Sequence, residues 1–545
     1  MIKKSILYTG LVAVLSLANG CTKLDENAYD KIVSDDFYNN ETEVLSAVLR
    51  PYTHAGAWAT PAGQDGWWRP AELSADQLAW PTKGRHGEDG GKWKRLHYHT
   101  WTVDESGLNN AWNLMYWGMG LCNDPIGNLE KRDATAMGIT EENKQAYLAE
   151  LRLFRAFHYL KLMDMFGNIP VVTQVGIPAK PETLPRKEVF NFIEKEIKEN
   201  IDKVPALSKN MTGRMTKAGA YAMLVELYLN AEVWSGEPRW DDCIAAANQL
   251  ISGAAGGQNG AMALDNNITD QYKTTNDLSK EVIFSLVRDY QVAQTEPPFP
   301  GEFYHFKQRA IYGGGRDGNN GIVLIPGVFT TYDADDERKT GWFLAGPMVQ
   351  FKDGKTPVTG SEEYLDKPLV FVDEIQRNST GSKVSNMSEG EENSGIRFNK
   401  YKLGNTDPGP SAPAADPKYN SNDWNIYRLS WIYFAKAEAI MRKSGGTATA
   451  EAVELINTVK KRAYKTDSWA SHAYTISSLT MNELLAERGR EFIFEGFRRN
   501  DLIRFGKFTT EKWWDHNPSA ANRNLFPIPQ QQRDMNENLK QNPGY

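Results

Sequence analysis

The chain has 545 residues, of which 41% are hydrophobic and 24% charged, values of a folded protein that can bury a large core and far from those of a disordered one. Its 62 Lys+Arg against 69 Asp+Glu give a formal charge of −7, which argues against a nucleic-acid surface because that needs a basic stripe to displace counterions. The three cysteines, Cys21, Cys122 and Cys243, are too few for a disulfide framework and lack the paired spacing of a structural zinc site.

The N-terminus reads as a signal peptide over residues 1–20: Lys3 and Lys4, a short apolar run from Ile6 to Ala18, then Asn19-Gly20-Cys21. That run is well short of the roughly 20 apolar residues a spanning helix needs, and no later segment supplies them. Cysteine directly after a small residue at the end of the run resembles a bacterial lipobox, which would make Cys21 the acylated first residue of the mature chain. The usual Leu three places earlier is Ala18 here, with Leu17 one place further. The alternative is a secreted chain cut at Ala18 or Gly20.

Three regions then carry helical periodicity. In the first, Gln145 to Phe166, the residues Leu148, Leu151, Phe154, His158 and Leu162 recur at three- and four-residue steps, while Phe157, Leu160 and Met163 widen the apolar face. Such a helix is predicted to lie buried between neighbours and to end at Gly167-Asn-Ile-Pro170. Val189 to Ile201 and Thr216 to Ala231 form a second pair, in which Ala218, Gly219 and Ala222 let backbones approach closely. The third region holds Trp424 to Arg442, Thr449 to Ala463 and Thr480 to Phe497, with a capping box predicted from Thr480 and Glu483 and a staple from Leu479 to Leu484. Between the second and third regions, 253–417 is rich in Gly, Asn, Asp and Pro, with short apolar runs such as Val282 to Val287. It is predicted to be loops and short strands forming a functional face.

Half of the 16 tryptophans fall between Trp58 and Trp117. Trp112 and Trp117, within helix-like Ala111 to Asn123, are assigned to the core. Trp80, Arg85, Asp89 and Trp93 share a glycine-rich loop in which aromatics meet Arg and Asp within a few residues, a candidate for ligand contact. Trp67, in Gln64-Asp-Gly-Trp-Trp-Arg-Pro70, is comparable, and a second aromatic set is Tyr304, Tyr312 and Trp342. Other motifs fail on context. Gly313 to Gly318 matches G-x-G-x-x-G without the following helix a dinucleotide needs, and Asp353-Gly-Lys-Thr356 lacks the earlier P-loop glycine. His97 and His99 lack a third zinc ligand and read as surface or loop histidines, and Asp333 to Asp336 lacks EF-hand spacing. No cofactor site is recognised.

Four stretches together resemble the RagB/SusD family of outer-membrane nutrient-binding lipoproteins of Bacteroidetes: Glu150 to Leu160 running on to Pro170; Gly213 to Ala218 leading into Leu224 to Leu229; Glu487 to Gly506; and Leu525-Phe-Pro-Ile-Pro529 with the terminal Gln541-Asn-Pro-Gly-Tyr545. The resemblance implies a mainly α fold, a SusD-like scaffold of four tetratricopeptide-like helix pairs with a loop-rich ligand-binding face containing short strands. It would occupy 21–545 as one domain, with the scaffold mainly in 40–60, 110–250 and 424–506 and the face mainly in 61–105 and 253–417. Asp25 and Glu26 just past Cys21 resemble surface-export signals of such lipoproteins. The implied role is non-catalytic capture of an oligo- or polysaccharide on the cell exterior and its delivery to a SusC-like TonB-dependent transporter in the outer membrane. The charged residues around Glu487 are expected to pair along one helix, and Asn542 to Tyr545 to form a packed turn. Two rivals stay open: a surface glycoside hydrolase, which needs two carboxylates about 5–9.5 Å apart, and a helical-repeat scaffold that binds protein.

Overall fold

The computed structural model describes residues 37–63, 65–176, 178–289, 301–312, 317–401 and 421–545; Cys21 and most of the Gly313 to Gly318 motif lie outside them. The main helices, in chain order, are α1 (Glu41–Ala55), α2 (Trp68–Leu73), α3 (Lys92–His97), α4 (Ser106–Lys131), α5 (Glu141–Phe166), α6 (Arg186–Asn200), α7 (Lys217–Leu229), α8 (Trp240–Ile251), α9 (Leu429–Lys443), α10 (Ala450–Lys460), α11 (Met481–Phe492) and α12 (Arg498–Arg504). Helix packs on helix from α4 through α5 to α6, from α7 through α8 to α9, and on to α10. One hydrophobic core runs through this stack from Tyr52 to Leu539.

Helix α5 is the axis of that core. Thr140 caps its start by accepting the Asn143 N–H at 3.0 Å, and all of its residues from Leu148 onward are buried except Arg152, as an all-round apolar surface predicts. The four charged residues buried on it each find a partner: Glu150 with Arg214, Arg155 with Glu196, Lys161 with Glu226, and Asp164 with Arg499. Gly118 on α4 lets the two helices close up, since a Cβ there would stand 2.3 Å from His158 Nε2.

The short strands pair antiparallel in twos. The pairs are β1 (Leu78–Ala79) with β3 (Val323–Leu324), β2 (Val282–Leu286) with β8 (Trp424–Arg428), β4 (Phe343–Leu344) with β7 (Arg397–Phe398), and β5 (Gly346–Pro347) with β6 (Val370–Phe371). The expected helix from Trp424 is therefore a strand for its first five residues. Aromatic and β-branched side chains suit a buried pleat, and Leu286 lies opposite Trp424 and Phe284 opposite Tyr427.

The helix predicted through Phe497 stops at Phe492, because Phe494 and Gly496 take positive φ of 71° and 86°. Thr480 accepts the Glu483 N–H at 3.1 Å, but Glu483 turns to the Tyr474 hydroxyl at 2.6 Å, so half of the capping box forms.

The charges on α11 do not pair mainly along the helix. Glu487 and Glu491 meet Arg338 at 2.8 and 3.0 Å, Glu491 and Glu495 meet Arg428 at 2.9 and 2.8 Å, and Lys400 meets Glu495 at 2.6 Å. All of these groups are buried. They tie the scaffold to the loop-rich side. The C-terminal turn is packed as expected, with Asn542 Nδ2 donating to the Phe166 and Phe526 carbonyls.

Candidate functional site

The Trp80 loop is built by its glycines and by one strand pair. The backbones of Lys83 and His86 exchange hydrogen bonds at 2.9 Å, and Gly84, Gly87, Gly90 and Gly91 all have positive φ, a conformation open to glycine at low cost. Gly87 also makes room for Trp80, whose Nε1 would lie 2.9 Å from a Cβ there. Strand β1 ends at Ala79, so its pairing with β3 sets Trp80 beside the chain entering β3. The Gly321 and Ile322 N–H groups donate to the Glu302 carbonyl at 2.9 and 2.7 Å, which brings the 302–322 segment to the same place. Lys83 fastens the two sides: its buried Nζ donates to the Asn320 and Gly321 carbonyls at 2.7 and 2.9 Å. Burial holds this ammonium well below its ordinary value.

The result is an open cleft of about 210 Å³ lined by Trp80, His86, Gly87, Asp89, Lys92, Trp93, Glu302 and Asn319. Trp80 and Trp93 stack with centroids 4.2 Å apart and planes 10° from parallel. The Arg69 guanidinium stands 5.3 and 5.5 Å from the two centroids, nearly equidistant and hence abreast of the stack. Lys92 Nζ lies 4.3 Å from the Trp93 ring centre. Asp89 is exposed and holds a positive φ of 41°, strained for a non-glycine residue, and its Oδ2 accepts the Trp93 indole N–H at 2.6 Å. Glu302 faces Arg69 at 3.8 Å. At the rim, Arg85 reaches Glu362 at 3.1 Å with its side chain 78% exposed. Lys94 and Thr82 both bond Glu88 and lower its pKa.

Several sequence expectations meet a different placement. Trp80 and Trp93 are 7% and 3% exposed: they stack on each other and join the main hydrophobic core, Trp93 from helix α3 rather than from the loop. Trp67 and Trp68 are both inside: Lys161 sits 4.3 Å from the Trp67 ring centre, and Trp68 Nε1 donates to the Phe494 carbonyl at 2.9 Å. Trp342 is fully buried beneath Lys400, with Nε1 on the Ile268 carbonyl at 3.1 Å. Trp67 and Trp342 are therefore core rings and do not line the cleft. Tyr304 is buried at 8% exposure, and its carbonyl accepts the Asn320 N–H at 2.7 Å; Tyr312 closes the short helix Gln308–Tyr312.

Trp112 is core as expected, but Trp117 is 58% exposed on α4. His97 and His99 are buried rather than superficial, and burial chiefly lowers His99 to about 3. Among the described residues no His, Cys, Asp and Glu group could hold a metal.

Sequence reasoning missed Arg69, His86, Lys92, Glu302 and Asn319. The first three lie within or near the tryptophan-rich stretch and share its local signal. Glu302 and Asn319 carry none, since β1–β3 pairing alone brings them to the cleft.

Two family models match the chain, one described as "SusD family" over 264–545 and one as "Starch-binding associating with outer membrane" over 84–229. The starch-binding protein SusD of Bacteroides thetaiotaomicron is 27% identical over 443 residues, covering 75% of this chain and 74% of that protein. SusD-like protein P2 of Formosa agariphila is 24% identical, covering 99% of this chain and 100% of its own length. In structure, surface glycan-binding protein A from Bacteroides thetaiotaomicron, solved with laminarihexaose, superposes with a TM-score of 0.67 at 20% identity, over 92% of this chain and 99% of that one. The fold is thus that of the SusD-like proteins, mostly helical with a few short strands. A family match over more than half the chain and over its whole C-terminal part places this protein in the SusD family.

Proposed function

We propose that this protein captures an oligo- or polysaccharide in the Trp80–Trp93 cleft without cleaving it. The observation that carries this reading is the cleft itself: two stacked indoles set beside Asp89, Glu302, Asn319, His86 and Lys92. Indole surface packs on pyranose C–H groups, the carboxylates and the Asn319 carbonyl accept from hydroxyls, and Lys92 and the Asn319 amide donate to ring and hydroxyl oxygens. Arg85 and Asp89 stay in this reading as rim contacts. The relatives support it: SusD is named as starch-binding, and a structural neighbour was solved with laminarihexaose. This reading uses Asp89 and Glu302 as hydrogen-bonding groups: Asp89 accepts the Trp93 indole N–H and Glu302 faces Arg69 at 3.8 Å.

Cys21 anchors the chain to the outer membrane, the signal peptide is residues 1–20, and one domain follows from residue 21. The cell-exterior face presents glycan, and the helical side docks on a TonB-dependent transporter to which the glycan passes. The family description as associating with the outer membrane supports this placement.

Native gels cast with laminarin or soluble starch test the binding: wild type is retarded and Trp93→Ala runs free. Release of reducing sugar by the purified protein would refute the non-catalytic role. Cys21→Ala is expected to move the exported protein from membrane to soluble fraction.

A further inference from the structure

The four-residue turn 513–516 closes with the His516 N–H on the Trp513 carbonyl at 2.8 Å. Its first central residue is Trp514, at φ 45°. Turns of this primed kind favour glycine there, and a bulky side chain at positive φ is a genuine outlier. Strain of this sort persists only where the surroundings over-determine it, and it clusters at ligand sites. Here the surroundings do so. Asp515 takes His97 Nε2 at 2.6 Å, the Tyr98 hydroxyl at 2.7 Å and the Met387 N–H at 2.9 Å. His516 Nδ1 bonds the His97 carbonyl at 2.7 Å, and its ring stacks on Trp513 at 3.9 Å.

What this effort positions is a tryptophan that remains partly exposed. Its indole N–H donates to Ser385 Oγ at 2.9 Å, next to Val384, which is 55% exposed.

Two chains of contacts link Trp514 to the walls of the cleft. His97, whose ring packs 5.3 Å from Trp514, follows Trp93 by four residues on α3, hence on the same helix face and about 6 Å along it. The 385–390 segment leads from Ser385 back to Thr82, where Met387 O accepts the Thr82 N–H at 2.8 Å and the Gly390 N–H donates to Thr82 O at 3.1 Å. Thr82 is two residues beyond Trp80. We propose that Trp514 is a second aromatic subsite, stacking on sugar units of a chain that leaves the Trp80–Trp93 cleft past the C-terminal end of α3. This rests on the glycan-binding reading and adds to it a preference for ligands longer than the cleft.

The test starts from whichever of laminarin and soluble starch retards wild type, and measures calorimetric affinity for the matching hexasaccharide and disaccharide. Trp514→Gly is expected to weaken hexasaccharide binding about tenfold and leave disaccharide binding unchanged, with a melting temperature equal to or above wild type because glycine relaxes the turn. Trp93→Ala should weaken both ligands. Unchanged hexasaccharide affinity in Trp514→Gly alongside loss in Trp93→Ala overturns the subsite and leaves the cleft standing. No retardation of wild type by either polysaccharide overturns both for glucans. Should Trp514→Gly lose melting temperature and affinity together, Trp514→Phe decides: a ring that restores hexasaccharide binding supports the subsite, and continued loss at native melting temperature overturns it.

Discussion

The charged network around α11 and the Trp80 loop use the same residue types to opposite ends. In the network, acids and bases close on one another inside the protein. Burial alone would raise the Glu281 carboxyl, yet Arg462 and Arg428 hold it down to about 2, and Arg504, Arg442 and Arg488 do the same for Glu438. Around the loop, the charges close on one another less completely. Arg69 has a distant partner, Asp89 faces solvent, and the stacked indoles wall a cleft. Glu72, buried on α2, shows what happens to an acid without a close cation: burial pushes it up to about 8, although the Gly496 N–H donates to it at 2.5 Å. Satisfied charge builds the frame, and incompletely satisfied polar groups mark where a ligand can add something.

The sharpest way to break this contrast is Arg428→Met. It strands Glu281, Glu491 and Glu495 in the interior, and removal of one partner from a buried ion network is expected to cost about 3–5 kcal/mol. Urea denaturation measures it, and a loss below ~1 kcal/mol would make the network ornamental.

Next in size is Glu72→Gln. The folded-state value of about 8 lies above the ordinary carboxylate value of 4.5, so the folded chain holds a proton that the unfolded chain releases. Stability from this group is full below pH 4.5 and is lost as pH rises toward 8. The variant has no such group, so its stability relative to wild type should climb over that window, reaching about 3 kcal/mol by pH 7. A pH-independent difference would show that Glu72 is ionised in the fold.

A smaller change, in affinity rather than stability, is expected from Asp89→Ala. The side chain is exposed and its backbone strained, so stability should move by under ~1 kcal/mol, while loss of a hydroxyl acceptor and of the bond orienting Trp93 weakens glycan binding about tenfold. Equal binding would move the site away from this loop. The smallest effect is Arg85→Ala: an exposed pair with Glu362 is worth about 0–1 kcal/mol, so melting temperature should hold, and a large drop would contradict its rim placement.

Much of the scaffold was legible because its signals are local. The period of Leu148 to Leu162, the Thr480 cap and the stop at Gly167 act within a turn or two. Trp424 to Arg428 was not, since its strand state depends on Val282 to Leu286, far away in the chain. The same limit divides the site. Trp80, Asp89 and Trp93 lie close together in sequence and could be seen together, although Trp93 lies on helix α3, whereas Glu302 and Asn319 arrive through strand pairing. Ring exposure was the least legible property. Trp342 lies inside because Lys400 and Tyr272 cover it, and Trp117 lies outside with its ring beside His54; composition around each says little of either.

The β2–β8 pairing has a bearing on how such a protein changes over generations. Leu286 and Trp424 sit opposite each other, so everything between them is an excursion whose two ends are already held at the scaffold, and one wall of the cleft, Glu302 and Asn319, belongs to it. Closing a loop costs only about 0.6 kcal/mol more for each doubling of its length. Residues can therefore be added to or removed from the exposed turns of this excursion at small thermodynamic cost, while its buried Arg338, Trp342 and Lys400 stay fixed on the scaffold. A lineage can retool one wall for a new ligand and leave the other, with its stacked tryptophans, in place.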